Sequence, residues 1–389
     1  MLNFTTLPPL SLYIHYPWCV QKCPYCDFNS HQLAVGKSSQ SAKQSQDEQY
    51  VSALLRDLEH ELPDIWGRSV QSIFIGGGTP SLIEPEQLHR LLSHIRSLVK
   101  LSPLAEITME ANPGTVDQNR FAEFHSAGVN RLSIGVQSFN SDLLEKIGRI
   151  HNAQQAAKAI EVAQLVGFDN INLDLMYGLP GQTLENAMAD VQQAINFQTT
   201  HLSHYQLTLE PNTFFATHPP RLPDDDLSYD MQLGCQELLA AHGFHHYEVS
   251  AYAKENFQCR HNINYWQFGD YIGIGAGAHG KISNAQQQNI IRRWKEKHPY
   301  QYMEKSSMIG GENKLSRADI GFEFMLNASR LVAGFNSDLF AAQTGLAINN
   351  IEKGLHKAVE LDLLQWQLHH IKPTQKGLQY LNELQQIFL

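Results

Sequence analysis

The sequence predicts an α/β chain: a partial (βα)6 TIM-like barrel with a smaller, α-rich, winged-helix-like C-terminal module. Three observations carry this. Over residues 10–211, six short apolar runs alternate with stretches of helical periodicity, which implies right-handed βαβ units and a parallel sheet. Six units are too few for a complete eight-fold barrel. The residues with chemistry in them also fall at the C-terminal ends of the apolar runs, where barrel-type folds keep their sites.

The predicted strands are "LSLYIHY" (10–16), "SVQSIFIGG" (69–77), "AEITMEANP" (105–113), "VNRLSIGVQS" (129–138), "NINLDLMYG" (170–178) and "HLSHYQLTLEP" (201–211). Between the first two, the polar, low-complexity stretch 31–49 reads as a surface loop, and a helix follows over about 49–62, ending near Pro63. Residues 84–100 carry helical periodicity with Pro85 in the first turn. Residues 116–128 read as a helix stopped by Gly128, and further helices fall at 140–147, 153–166 and 183–196. The organisation expected is residues 1–240 as barrel, 241–317 as an aromatic- and glycine-rich extension, and 318–389 as the winged-helix-like module. That module holds five Lys/Arg against seven Asp/Glu, too acidic to read DNA, so a packing or lid role is expected.

The 389 residues are 42% hydrophobic with a formal net charge of −10, which argues against nucleic acid as a partner. No 18-residue apolar run crosses a membrane, leaving peripheral contact at most. "MLNFTTLPPLSLY" has neither a basic nor an apolar leader segment, so a cytoplasmic protein with reduced thiols is expected.

Three of the five cysteines, Cys19, Cys23 and Cys26, stand as C-x3-C-x2-C directly after the first strand. In a reducing compartment such clustering means metal or catalysis. A conventional iron–sulfur cluster takes four thiolates, so three leave one iron open. A zinc site completed by His15 or His31 is the alternative. "IGGGTPS" (75–81) ends the second strand, where glycine lets backbone approach a ligand closely; alone it is equally a turn. Glu110, Gln137 and Asp174 lie at or toward the ends of strands three to five, and Arg149 follows. Each taken singly reads more readily as a loop or capping residue.

The cysteine triplet after a first barrel strand resembles the radical S-adenosylmethionine (SAM) superfamily. The resemblance implies a [4Fe–4S] cluster on Cys19, Cys23 and Cys26, its fourth iron completed by the amino and carboxylate groups of SAM. An electron from the cluster then cleaves the sulfonium, so an electron donor is implied as well. Tyr25, before the last cysteine, would lie near the adenine. "TMEANPGT" (108–115), "GVQSF" (135–139), "KIGRIH" and "NLDLMYGLPGQT" (172–183) are similar to a narrower branch: oxygen-independent coproporphyrinogen oxidases and their HemW-type heme-chaperone relatives. By that resemblance Tyr13, Gly77, Gly78, Thr79, Glu110, Gln137, Arg149 and Asp174 line one or two SAM positions. "HNINYW" (261–266) resembles the chaperone subgroup's heme motif, implying His261 as a heme contact with Tyr265, Trp266 and Phe268 as flat walls. Without the resemblance, the stretch reads rather as an ordinary aromatic core segment with a surface histidine. The oxidase branch carries a further cysteine two residues past the triplet and a longer N-terminal segment; this chain has Phe28 there and reaches Cys19 almost at once. Both departures favour a heme chaperone, with heme and a heme-acceptor protein as partners, over a coproporphyrinogen dehydrogenase.

Overall fold

A computed structural model describes residues 2–33 and 40–389. Six parallel strands form the barrel wall: β1 (Leu10–Tyr16), β2 (Ser69–Gly77), β3 (Lys100–Ala111), β4 (Arg131–Gln137), β5 (Ile171–Tyr177) and β6 (His201–Gln206). They stand side by side in chain order. The connecting helices are α1 (Gln40–Ile65), α2 (Pro85–Leu98), α3 (Gln118–Ala127), the pair α4 (Ser141–Lys146) and α5 (Ala153–Val166), α6 (Leu184–Asn196), and α7 (Asp225–Ala241) after the last strand. The boundaries follow local chemistry. Asp117 caps α3, Gly128 ends it in the left-handed region at φ 104°, and capping boxes start α5 and α6.

Outward-facing residues of alternate positions, such as Leu12, Ile14, Ile73, Ile75, Leu132, Ile134 and Leu173, meet Leu54, Leu88, Phe121, Ile160 and Val191 of the helices in the main core. The inward positions are mostly polar, among them Ser11, Ser72, Glu106, Thr108, Arg131 and Asn172.

Two expectations fail. The loop expected over 31–49 falls partly outside the described residues, but α1 already runs from Gln40, not from about 49. Polar sequence is helical there because distant partners hold it. Asp47 is buried and accepts from Tyr16 Oη at 2.8 Å and from the Glu84 amide at 3.0 Å. Pro63 also lies inside α1, which continues to Ile65. In the last turn the ring removes only one backbone bond, and buried Leu58 and Ile65 hold the turn down.

The 241–317 region builds onto both edges of the wall. On the far side of β6 lie β7 (His245–Glu248) and β8 (Ala251–Ala253), antiparallel. On the near side β9 (Asp270–Ile274) pairs parallel with β1, adding a seventh parallel strand to the expected six. An antiparallel meander continues outward: β10 (His279–Asn284), β11 (Asn289–Lys295) and β12 (Ile309–Lys314). Between the edges, α8 (Arg260–Trp266) packs on β1, β2 and β9.

The C-terminal residues gather a second apolar cluster around Phe324, Phe335, Phe340, Leu355 and Ile371, which also takes in Leu2 and Phe268. Its helices α9 (Arg317–Ala328), α10 (Ser337–Thr344) and α11 (Glu352–Glu360) frame a three-stranded antiparallel sheet, in which β15 (His370–Pro373) lies between β13 (Phe335–Asn336) and β14 (Leu364–Gln367). That is the winged-helix-like arrangement. Among the described residues no helix is long and apolar enough to cross a membrane.

The seam between barrel and meander is ionic. Asp270 is fully buried and receives Lys281 Nζ at 2.9 Å, Arg68 Nη2 at 2.8 Å, and the Ser283 amide and hydroxyl at 3.0 and 2.9 Å. Removing one member of such a network strands a buried charge. Asp270→Ala is expected to cost about 3–5 kcal/mol in urea denaturation, and Asp270→Ala with Lys281→Met to recover much of that. A loss below about 1 kcal/mol would show that the network does not hold the seam.

Candidate functional site

The cysteine loop leaves β1 at its C-terminal end and is pinned there by the end of β2. The Gly78 amide donates to Tyr16 O at 2.7 Å, the Thr79 amide to Trp18 O at 2.8 Å, and Thr79 Oγ1 to Cys19 Sγ at 3.4 Å. The glycines are required by this approach. Gly77 has φ 113°, and a Cβ there would lie 2.5 Å from His15; one at Gly78 would lie 2.7 Å from Trp18 O. With these amides engaged on the loop, the motif offers a ligand acceptor oxygens rather than donors.

All three thiols line one cavity of about 380 Å³, together with Tyr25, Gly77, Gly78, Thr79, Glu110, Gln137, Arg149 and Asp174. The sequence-predicted residues are thus brought together, except Tyr13 and His261. Burial pushes the Cys19 and Cys26 thiols up, and their neighbouring thiols push in the same direction. Opposite them, Arg149 Nη1 donates to Cys23 Sγ at 3.5 Å and Nη2 to Gly135 O at 2.8 Å. A set of crowded thiols beside a buried guanidinium suits an anionic thiolate-bound group. The zinc alternative fits less well. His15 is already engaged at both nitrogens, by Tyr13 Oη at 2.9 Å and Asn29 O at 2.9 Å, and His31 Nε2 by Asn29 Oδ1 at 3.1 Å. Among the described residues no three His, Cys, Asp or Glu side chains close around a single ion.

The wall facing the thiols is polar and held at fixed angles. Glu110 Oε2 accepts the Gly77 amide at 3.1 Å. Burial, with Asp174 as a second cause, pushes the Glu110 carboxyl up to about 7. Asp174 accepts from Ser133 Oγ at 3.0 Å and Asn172 Nδ2 at 2.9 Å; burial raises its pKa too. Gln137 is in the left-handed region at φ 69°, its Oε1 accepting from Tyr205 Oη at 2.9 Å. Sequence reasoning missed Gly135, Ser133, Ser203 and Tyr205, all cavity-lining. Their signal was present: Ser133, Gly135 and Gln137 share one strand face at period two, and a Cβ on Gly135 would fall 3.1 Å from Gln137 and 3.2 Å from Arg149.

Tyr13 lines a second cavity, of about 520 Å³, adjoining the first through Phe28, Gly77 and Glu110. His261 lines neither. It is buried beneath Phe74 and Tyr265, with ring centroids at 5.2 and 4.8 Å, and its Nδ1 bonds Ser72 Oγ at 3.0 Å. The expected heme contact His261 thus lies outside both cavities, with its Nε2 buried and without a hydrogen-bond partner among the described residues. Its helix is drawn into the barrel interior because Glu106 meets the Arg260 and His261 amides at 3.2 and 3.3 Å, and Asn264 Nδ2 donates to Ser11 Oγ at 3.0 Å. Phe268 is likewise core, and Trp266 lies under the Arg330 guanidinium, 4.3 Å from its ring centre. Of the stretch's aromatics only Tyr265 reaches the second cavity.

Comparison with known proteins places these features. Residues 13–194 match the model of the radical SAM superfamily, and residues 315–380 match the HemN C-terminal domain. The chain is 47% identical over 383 residues to the heme chaperone HemW of Escherichia coli, covering 98% of this chain and 99% of that one. It is 35% identical over 367 residues to the heme chaperone HemW of Bacillus subtilis, covering 92% of each. Among solved structures, coproporphyrinogen III oxidase (HemN) from Escherichia coli superposes with TM-score 0.80 at 22% identity, covering 98% of this chain and 90% of that one, a likeness of fold.

The raised Glu110 carboxyl has a sign that can be tested. Its folded-state pKa, about 7, lies above its ordinary 4.5, so its contribution is fully present below pH 4.5 and is lost as pH rises through 7. At about 1.4 kcal/mol per tenfold change in acidity, roughly 3 kcal/mol disappears across that window. Urea denaturation of the cluster-free protein from pH 4.5 to 8 should show Glu110→Gln flattening the decline relative to wild type. An unchanged slope would contradict the assignment.

Proposed function

The chain belongs to the HemW family within the radical SAM superfamily, and from that premise we propose that it binds heme and hands it to an acceptor protein. The observation that carries the cofactor part of this reading is the thiol-lined cavity facing Glu110, Gln137, Arg149 and Asp174. In this reading Cys19, Cys23 and Cys26 hold a [4Fe–4S] cluster and SAM completes its fourth iron. When bound, the cluster supplies a single electron to the sulfonium. The chain's own residues do the rest. Arg149 neutralises thiolate charge beside Cys23 and, with Gln137, orients the carboxylate of the methionine moiety through directed donors. Glu110 and Asp174 accept from ribose hydroxyls. Tyr25 gives the adenine a flat partner. Acceptor oxygens of the Gly77–Thr79 stretch meet the amino group.

The heme part is supported by the relatives' common name and by Phe28, which stands where the oxidase branch has its extra cysteine. The partners of this reading are heme, an acceptor protein and an electron donor to the cluster. Its setting is the cytoplasm, since all five cysteines are unpaired thiols and a thiolate-held cluster needs reducing surroundings.

An anaerobic preparation reconstituted with iron and sulfide tests both parts. Four iron and four sulfide per chain are expected, lost in Cys23→Ala. Saturable uptake of ferric heme is expected, with no protoporphyrinogen formed from coproporphyrinogen under reducing conditions with SAM. Turnover of coproporphyrinogen would instead make the protein a dehydrogenase.

A further inference from the structure

The second cavity adjoins the cluster loop at Asp27 and Phe28, and of the residues in the SAM reading it takes in only Tyr13, Gly77 and Glu110. Its volume of about 520 Å³ lies within the roughly 300–1,000 Å³ of typical small-molecule sites. Its walls are aromatic: Tyr13, Phe28, Tyr265, Tyr271 and Trp294. Phe28 is 60% exposed and Trp294 37%, a large apolar area to leave in water. Trp294 is fixed, because β11 places it opposite Gly311, where a Cβ would lie 2.3 Å from the indole.

Two imidazoles line this cavity, His15 and His279. They differ in availability. Both nitrogens of His15 are engaged, and burial pushes its pKa down to about 4. His279 heads β10 directly across from Trp294, their rings near parallel at 27° with centroids 6.4 Å apart. Among the described residues neither of its nitrogens has a hydrogen-bond partner. It is an exposed base at the mouth of an aromatic recess. The charge balance admits an acidic ligand. Lys295 is neutralised by Asp57 and Glu61, at 2.5 and 2.6 Å, while Lys297 makes no ion pair among the described residues. Two carboxylates also line the cavity, Glu110 on the wall shared with the cluster cavity and Asp27 beside Phe28, so an acidic group is placed toward Lys297.

We propose that this cavity is the heme seat, with the His279 imidazole as iron ligand, Trp294 and Phe28 as walls against the macrocycle, and Lys297 as partner to a propionate. The assignment rests on the heme-binding reading above. It moves the iron contact from His261, whose ring is buried under Phe74 and Tyr265, to a histidine whose nitrogens are accessible.

Ferric heme titrated into the full-length protein tests this. Wild type should give a saturable complex with the Soret band of an imidazole-ligated iron. His279→Ala should weaken binding at least tenfold and lose that band position, and free imidazole should restore it. His279→Gln, which keeps size and polarity without an iron-binding nitrogen, should behave like the alanine variant. His261→Ala should retain the imidazole-type band. Trp294→Ala should weaken binding severalfold with the band position unchanged. A His279→Ala complex with wild-type affinity and spectrum overturns the assignment while leaving heme binding intact. Absence of saturable binding in wild type removes the heme reading itself.

Discussion

The clamp between the end of β2 and the cysteine loop is the constraint on which the site depends. Two amides, from Gly78 and Thr79, hold the carbonyls of Tyr16 and Trp18, and the Thr79 hydroxyl holds Cys19. Only glycine at 77 and 78 lets the two backbones approach this closely. The loop therefore presents its thiols toward the barrel axis, and the strand ends beyond supply the carboxylates, amide and guanidinium that face them. His15 and His31, the two histidines that a zinc site would use, are both tied to Asn29.

A polar barrel interior would be costly unless its groups found partners. Here several of them do, through α8. Glu106 receives backbone amides from that helix, Ser72 pairs with His261, and Ser11 with Asn264. The helix closes the interior beneath the two cavities, and Tyr265 is its one ring that reaches up into the second. From the outer side, Arg330 of the C-terminal residues lies over Trp266 and pairs with Glu248, itself a cavity-lining carboxylate, at 3.3 Å. The C-terminal cluster is thereby joined mechanically to the wall of the thiol cavity.

The strands, most helices and the thiol-facing residues were legible in the sequence because each left a local signal. Apolar runs alternate with helical periods, and Glu110 and Gln137 fall at strand ends. What was not legible depends on contacts distant in sequence. The early turns of α1 are polar and look like loop, yet Asp47 is held by Tyr16 and Glu84. His261 looks like a ligand because histidine beside aromatics suggests metal, and its burial follows from distant contacts, Glu106 155 residues away and Ser72 189 residues away. β9 was missed because its glycines read as a turn-rich extension, whereas its register with β1 makes it a barrel strand. His279 carried no signal at all: what marks it is the lack of a partner, visible only once its surroundings are known.

In the proposed function a small molecule, not a side chain, occupies the iron that three thiolates leave open. Electron–nuclear double resonance on the reduced, reconstituted cluster with SAM labelled by nitrogen-15 and oxygen-17 in its methionine moiety measures this directly. Hyperfine coupling from both labels, present in wild type and weakened in Arg149→Ala, is the predicted result. A cluster that shows no coupling to either label, with resonances unchanged by SAM, would contradict the account.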